Sequence, residues 1–167
     1  MKHLSVIHNA IDVESKWENF INLINVSVIF KSEDNNDSNI KKKYSRMGLT
    51  RFYDKLTMVI DYAEKFNYLS NDLEKIKKYL EENSNYKMER SLAVISFTNS
   101  EKSTGRHSDE HDILYVQCIG TVMWKIWEEE KEKTFILNKG DCIFVKKNIE
   151  HEVLSITPRA SLSAILK

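Results

Sequence analysis

The chain has 167 residues, 41% hydrophobic and 30% charged, which is a globular balance rather than a disordered one and enough for one domain with an ordinary core. Lys plus Arg and Asp plus Glu both number 25, so no net field draws the protein to nucleic acid or to an anionic membrane, and neither is expected as a partner. No apolar run reaches the length of a membrane span, Met1 to Ala10 lacks the continuous apolar core of a signal peptide, and Cys118 and Cys142 show neither zinc-knuckle spacing nor a disulfide framework; a cytoplasmic protein with two buried, reduced thiols is expected.

Taken in chain order, Val13, Trp17, Phe20, Ile21 and Ile24 recur at helical spacing and predict an amphipathic helix over residues 12–24, with Asp12 as its N-cap. The run Val26 to Phe30 reads as a short strand, and residues 33–45 are polar, aperiodic and loop-like. Leu49, Phe52, Leu56, Val59, Ile60, Ala63 and Phe66 predict a second, longer helix. Asn71 with Glu74 forms a capping box, Asn fitting it less well than Ser or Thr, for a third helix carrying Leu73, Ile76 and Leu80.

From Ser91 the texture changes to short β-rich runs between turn residues: Leu92 to Phe97, Ile113 to Cys118, Thr121 to Trp127, Thr134 to Leu137, Cys142 to Val145, Glu152 to Ile156 and Ala160 to Leu166. Ile119-Gly120 is tight enough to join the second and third runs as a hairpin, and Asn138 to Asp141 supplies turn chemistry between the fourth and fifth.

His107-Ser108-Asp109 and His151 are the residues around which the rest is organised. Residues two apart on an extended segment project to one side, so His107 and Asp109 form a pair; His151 lies 44 positions later (151 − 107), room enough for a small barrel to bring it back beside them. Two imidazoles and a carboxylate are the ligand set of a mononuclear non-haem iron, which leaves the opposite positions open. Glu150 and Glu152 are weaker carboxylate candidates, because sequence neighbours of His151 face away from it on a strand. The bland alternative is a relic site without metal, and His3, His8 and His111 read as ordinary residues. Tyr115 and Gln117 share strand parity, forming either a polar wall or a core position with a partly buried amide. Trp124 and Trp127 fall on opposite faces, one core and one surface, and Glu128 to Lys133 reads as a solvated hairpin tip.

The segments RHSDEHDILYVQCIGTVMWKIW and LNKGDCIFVKKNIEHEVLSI resemble the cupin barrel of the JmjC-like 2-oxoglutarate oxygenases, especially the bacterial and ribosomal protein hydroxylase branch, from about Thr104 to Ser155. The shared pattern is H-x-D, an aromatic-rich strand ending in Gln, a Gly turn, a Trp-bearing strand, G-D and a distal His. The resemblance implies an α+β, mainly β fold: a double-stranded β-helix (cupin or jelly-roll) barrel over residues 91–167, with a helical preface over residues 1–90 packed on it rather than forming an independent domain. It also implies Fe(II) held by His107, Asp109 and His151, with 2-oxoglutarate chelating the metal through its 2-oxo and 1-carboxylate groups.

Two positions depart from the pattern. Val122 stands where relatives place a lysine that pairs with the far carboxylate of 2-oxoglutarate, and Lys146 stands where they tend to have proline. A buried dianion needs another anchor. Arg159 with Ser161 is similar to the Arg-x-Ser anchor of other 2-oxoglutarate oxygenases, although closer to the distal His than usual; its bland reading is a surface arginine beside a turn. Thr104 matches a hydroxyl that helps hold the same carboxylate in some relatives, and Lys125 falls on the opposite face from Val122 and Trp124. The expected function is an Fe(II)- and 2-oxoglutarate-dependent hydroxylase of a peptide or protein side chain, or of a small metabolite. Two alternatives are a metal cupin (a dioxygenase or isomerase) that needs no 2-oxoglutarate, which Val122 favours, and a non-catalytic cupin binding domain, against which the complete ligand set argues. The helices suit packing on the barrel or homodimer formation equally.

Overall fold

The computed structural model describes residues 4–32, 50–53, 57–97, 105–128 and 131–167; the loop expected at 33–45 and Thr104 lie outside these. The elements are, in order, β1 (Leu4–Ile7), α1 (Trp17–Ser32), β2 (Thr50–Tyr53), β3 (Thr57–Asp61), two short 3-10 turns (Ala63–Lys65 and Asn67–Leu69), α2 (Ser70–Asn83), β4 (Met88–Ser96), β5 (Asp112–Ile119), β6 (Val122–Glu128), β7 (Lys131–Leu137), β8 (Cys142–Val145), β9 (Glu150–Ser155) and β10 (Arg159–Leu166). They build two antiparallel sheets, one ordered β1-β8-β5-β10-β4-β3-β2 and a smaller one ordered β7-β6-β9.

Strand alternation sorts the side chains into three layers. On β5, Leu114, Val116 and Cys118 pack with Phe20 and Leu23 of α1 and Leu73, Ile76 and Leu80 of α2. Ile113 and Tyr115, pointing the other way, pack with Val122, Trp124 and Ile126 of β6 and Val153 of β9. The large sheet is thus a wall with helices on one face and the small sheet on the other. Each buried Leu, Ile or Phe contributes about 1.5–3 kcal/mol of apolar transfer.

Several expectations need correction. The helix predicted over Leu49 to Phe66 is instead β2, β3 and a 3-10 turn: Thr57 to Asp61 is buried on both faces and pairs with β4, as in Met58↔Ile95 and Ile60↔Ala93. A strand covered on both sides carries apolar residues without alternation, and those residues happened to satisfy the helical period. The run Val26 to Phe30, expected as a strand, lies in α1, which starts at Trp17 rather than after Asp12. α2 is capped at Leu69 with no side-chain cap, while Asn71 Nδ2 donates to Glu14 and Glu74 pairs with Lys77. Asp72 anchors its first turn by accepting from the Glu14 and Ser15 amides at 2.8 and 3.0 Å. The boundary expected after residue 90 falls inside β4, and β1, β2 and β3 precede it in the large sheet.

Ile119-Gly120 does not close a hairpin, because β5 and β6 belong to different sheets. Gly120 (φ 77°) carries the chain from one to the other, and a Cβ there would sit 2.2 Å from the Pro158 carbonyl oxygen, so only glycine fits. Thr121 braces the crossing: its amide donates to Thr157 Oγ1 at 2.9 Å and its carbonyl accepts from the Ile156 amide at 3.0 Å.

Candidate metal centre

His107 and His151 are joined by an isolated antiparallel bridge: the His107 amide donates to the His151 carbonyl at 3.0 Å and the His151 amide to the His107 carbonyl at 2.7 Å. This register places the two rings side by side, their centroids 4.5 Å apart. The Asp109 carbonyl accepts from the Asn148 amide at 2.8 Å, which brings the same segment against the turn before β9. Ligand atoms of His107, Asp109 and His151 all lie within 4.8 Å of one another, and His151 Nε2 stands 3.6 Å from Asp109 Oδ2.

The tautomers are set locally. His107 Nδ1–H donates to the Gly105 carbonyl at 2.8 Å, and His151 Nδ1–H to the Ile149 carbonyl at 3.0 Å. Each imidazole therefore turns its Nε2 lone pair outward, the arrangement in which outer hydrogen bonds orient metal-binding histidines. Burial holds the His151 imidazole below its ordinary value against the opposing pull of the Ile149 carbonyl and Asp109, so the ring is neutral and available at pH 7. Trp124 stacks on it at 5.0 Å, and Tyr115 meets Trp124 edge-on at 4.9 Å. Two imidazoles and an aspartate side chain facing a common point suit a divalent cation of intermediate softness.

The triad opens on a cavity of about 330 Å³. Val59, Leu92, Val94, Ile113 and Val153 give it apolar walls, and Arg159, Tyr115 and Ser163 give it a polar end. Arg159 is 2% exposed, so it is not the surface arginine of the bland reading. Its Nε donates to Ser155 Oγ at 2.9 Å, and its Nη1 to Tyr115 Oη at 3.1 Å and Ser161 Oγ at 3.3 Å. Among the described residues no carboxylate pairs with this guanidinium. A buried cation with only hydroxyl partners is costly unless an anion joins it. Burial also pushes the Tyr115 hydroxyl up, which keeps it a phenol; it donates to Gln117 Oε1 at 2.5 Å.

The structure thus brings together His107, Asp109, His151, Tyr115, Arg159 and Ser161. Gln117 stands behind Tyr115 and gives its amide to the Ile119 and Gly120 carbonyls at 2.6 and 3.3 Å, bracing the crossing rather than lining the cavity. Lys125 pairs with Glu132 at 3.6 Å, away from it. Sequence reasoning missed Ser155, although its parity with His151 and Val153 on β9 was a usable signal.

The chain is thus a mainly antiparallel, two-sheet β protein in which two histidines and an aspartate that could hold a metal ion line one cavity. The JmjC domain family model matches residues 63–166, more than half of the chain, and the chain belongs to that family. Among solved structures it is similar to the Escherichia coli ribosomal oxygenase YcfD in complex with cobalt and 2-oxoglutarate, at 12% identity and a TM-score of 0.65, covering 99% of this chain and 48% of that one. A second structure of the Escherichia coli ribosomal oxygenase YcfD matches at 15% identity and a TM-score of 0.56, covering 72% of this chain and 35% of that one. At such identities the likeness is one of fold, and this chain spans half or less of the solved relatives' length. No curated protein matches the sequence.

Proposed function

We propose that the protein is an Fe(II)- and 2-oxoglutarate-dependent oxygenase built on a double-stranded β-helix, with His107, Asp109 and His151 as metal ligands. The observation that carries this reading is the Arg159 guanidinium, buried without an acidic partner among the described residues, at the end of the cavity that the triad opens on. In this reading Arg159, Tyr115 and Ser161 hold the far carboxylate of the cosubstrate. Ser155, which Arg159 contacts, pairs with Val122 across β6 and β9, so the cation reaches from β10 the neighbourhood where relatives supply it from β6. Thr104, outside the described residues, keeps its proposed secondary role.

When bound, Fe(II) and 2-oxoglutarate would supply the oxidising chemistry for putting one oxygen atom of O2 into a substrate C–H bond. The protein's own residues position and shield. His107 and His151 would hold the metal through Nε2, their Nδ1–H groups being fixed by the Gly105 and Ile149 carbonyls. Trp124 fills the space behind His151 and keeps water from that side. The apolar wall of Val59, Leu92 and Val94 stands free to receive a substrate group, which we assign to a peptide or protein side chain, with a small metabolite as the second choice. In this reading residues 1–90 form no separate domain, their described strands β1, β2 and β3 adding to the large sheet. No helix among the described residues is long and apolar enough to cross a membrane. The free thiols of Cys118 and Cys142 suit the cytoplasm.

The test is anaerobic addition of Fe(II) and 2-oxoglutarate to metal-free protein. A weak visible charge-transfer band is expected; Arg159→Ala should weaken 2-oxoglutarate at least tenfold while sparing metal uptake, and His151→Ala should abolish uptake. Metal uptake without the band would leave a metal cupin that needs no 2-oxoglutarate.

A further inference from the structure

We propose that Arg106 is a positioning residue for the metal centre, clasping the segment that bears His107 and Asp109 to the small sheet from the outside. The inference rests on reading the triad as a divalent-metal site. Residues 105–109 belong to no strand. Their described backbone ties to the β9 side are the mutual His107–His151 pair and the Asn148 amide on the Asp109 carbonyl, while Gly105, at φ 77°, has open space where a Cβ would stand. A ligand-bearing segment so lightly held needs another attachment to keep two ligand atoms in place.

Arg106 supplies it. Trp127 and Glu150 face each other in the β6–β9 register, so one planar group can meet both. The Arg106 guanidinium lies over the Trp127 ring, 4.3 Å from its centroid, and forms an ion pair with Glu150. Neighbouring residues on an extended backbone point to opposite sides. Arg106 and Glu150 therefore close the outer side of the same bridge whose inner side carries His107 and His151. Only a flat, delocalised cation combines ring stacking with an edge-on bond to a carboxylate, so lysine is a poor substitute.

The experiment is calorimetric titration of Co(II) into the metal-free protein, as wild type, Arg106→Ala, Arg106→Lys, Glu150→Gln and, for reference, His151→Ala, with the melting temperature of each metal-free form. Arg106→Ala should weaken Co(II) on the order of fivefold, with Arg106→Lys intermediate and Glu150→Gln milder, while metal-free melting temperatures stay with the wild type. Wild-type affinity in Arg106→Ala, or a loss that merely follows a lowered melting temperature, overturns the positioning role. A wild type that binds Co(II) no better than His151→Ala overturns the metal-site reading itself and this inference with it.

Discussion

Asp141 shows how much one side chain can organise. Its carboxylate accepts from the Asn9 amide at 2.9 Å and the Asn138 amide at 2.8 Å, and it meets His8 at 3.1 Å, so it ties the end of β1 to the turn between β7 and β8. Burial alone would raise its pKa; the two amides and His8 outweigh burial and hold the carboxyl below its usual range. A depressed folded-state value means the stabilisation is complete above the unfolded carboxyl value, near 4, and fades as pH falls through the folded one. Asp141→Ala should cost about 2 kcal/mol in urea unfolding at pH 7, because two part-buried amide hydrogen bonds lose their charged acceptor. The gap to wild type should narrow below about pH 4, and a gap independent of pH would show that the charge contributes nothing.

At the scale of elements, the crossing at Gly120 makes a firm demand. Gly120→Ala would drive a methyl group into the Pro158 carbonyl in a left-handed backbone, so a loss of about 3 kcal/mol is expected in chemical denaturation. A loss below about 0.5 kcal/mol would mean the crossing yields easily. Elements were legible where one local signal decided them. The strands from β4 to β10 announced themselves by β-rich runs between turn residues, and α2 by its apolar stripe of Leu73, Ile76 and Leu80. β3 was hidden because a strand buried on both faces loses its alternation, and β5–β6 looked like a hairpin because tightness at Ile119-Gly120 says nothing about which sheet the next strand joins. In the site, His107, Asp109 and His151 could be read from residue type and spacing alone. The Arg106 clasp, the Ser155 contact and the Trp124 stack depend on cross-strand register, which no linear pattern carries.

For the whole molecule, the proposed metal joins residues 44 positions apart (151 − 107) that the backbone links by a single bridge. A cation that binds only the folded form stabilises it by linkage, so Co(II) at a hundred times its dissociation constant should add about 2.7 kcal/mol and raise the melting temperature by several degrees. The same addition to His107→Ala should leave the melting temperature where it was, and an equal rise there would place the cation elsewhere.

The wall formed by β5 serves the helices with Leu114 and Val116 and the cavity with Ile113 and Tyr115. Deleting one residue within this strand would exchange the two sets at a stroke, sending the phenol toward the helices and leucine into the chamber. Side-chain swaps here can be absorbed one at a time, whereas a change in the number of residues cannot. Length, more than identity, is what this strand must preserve.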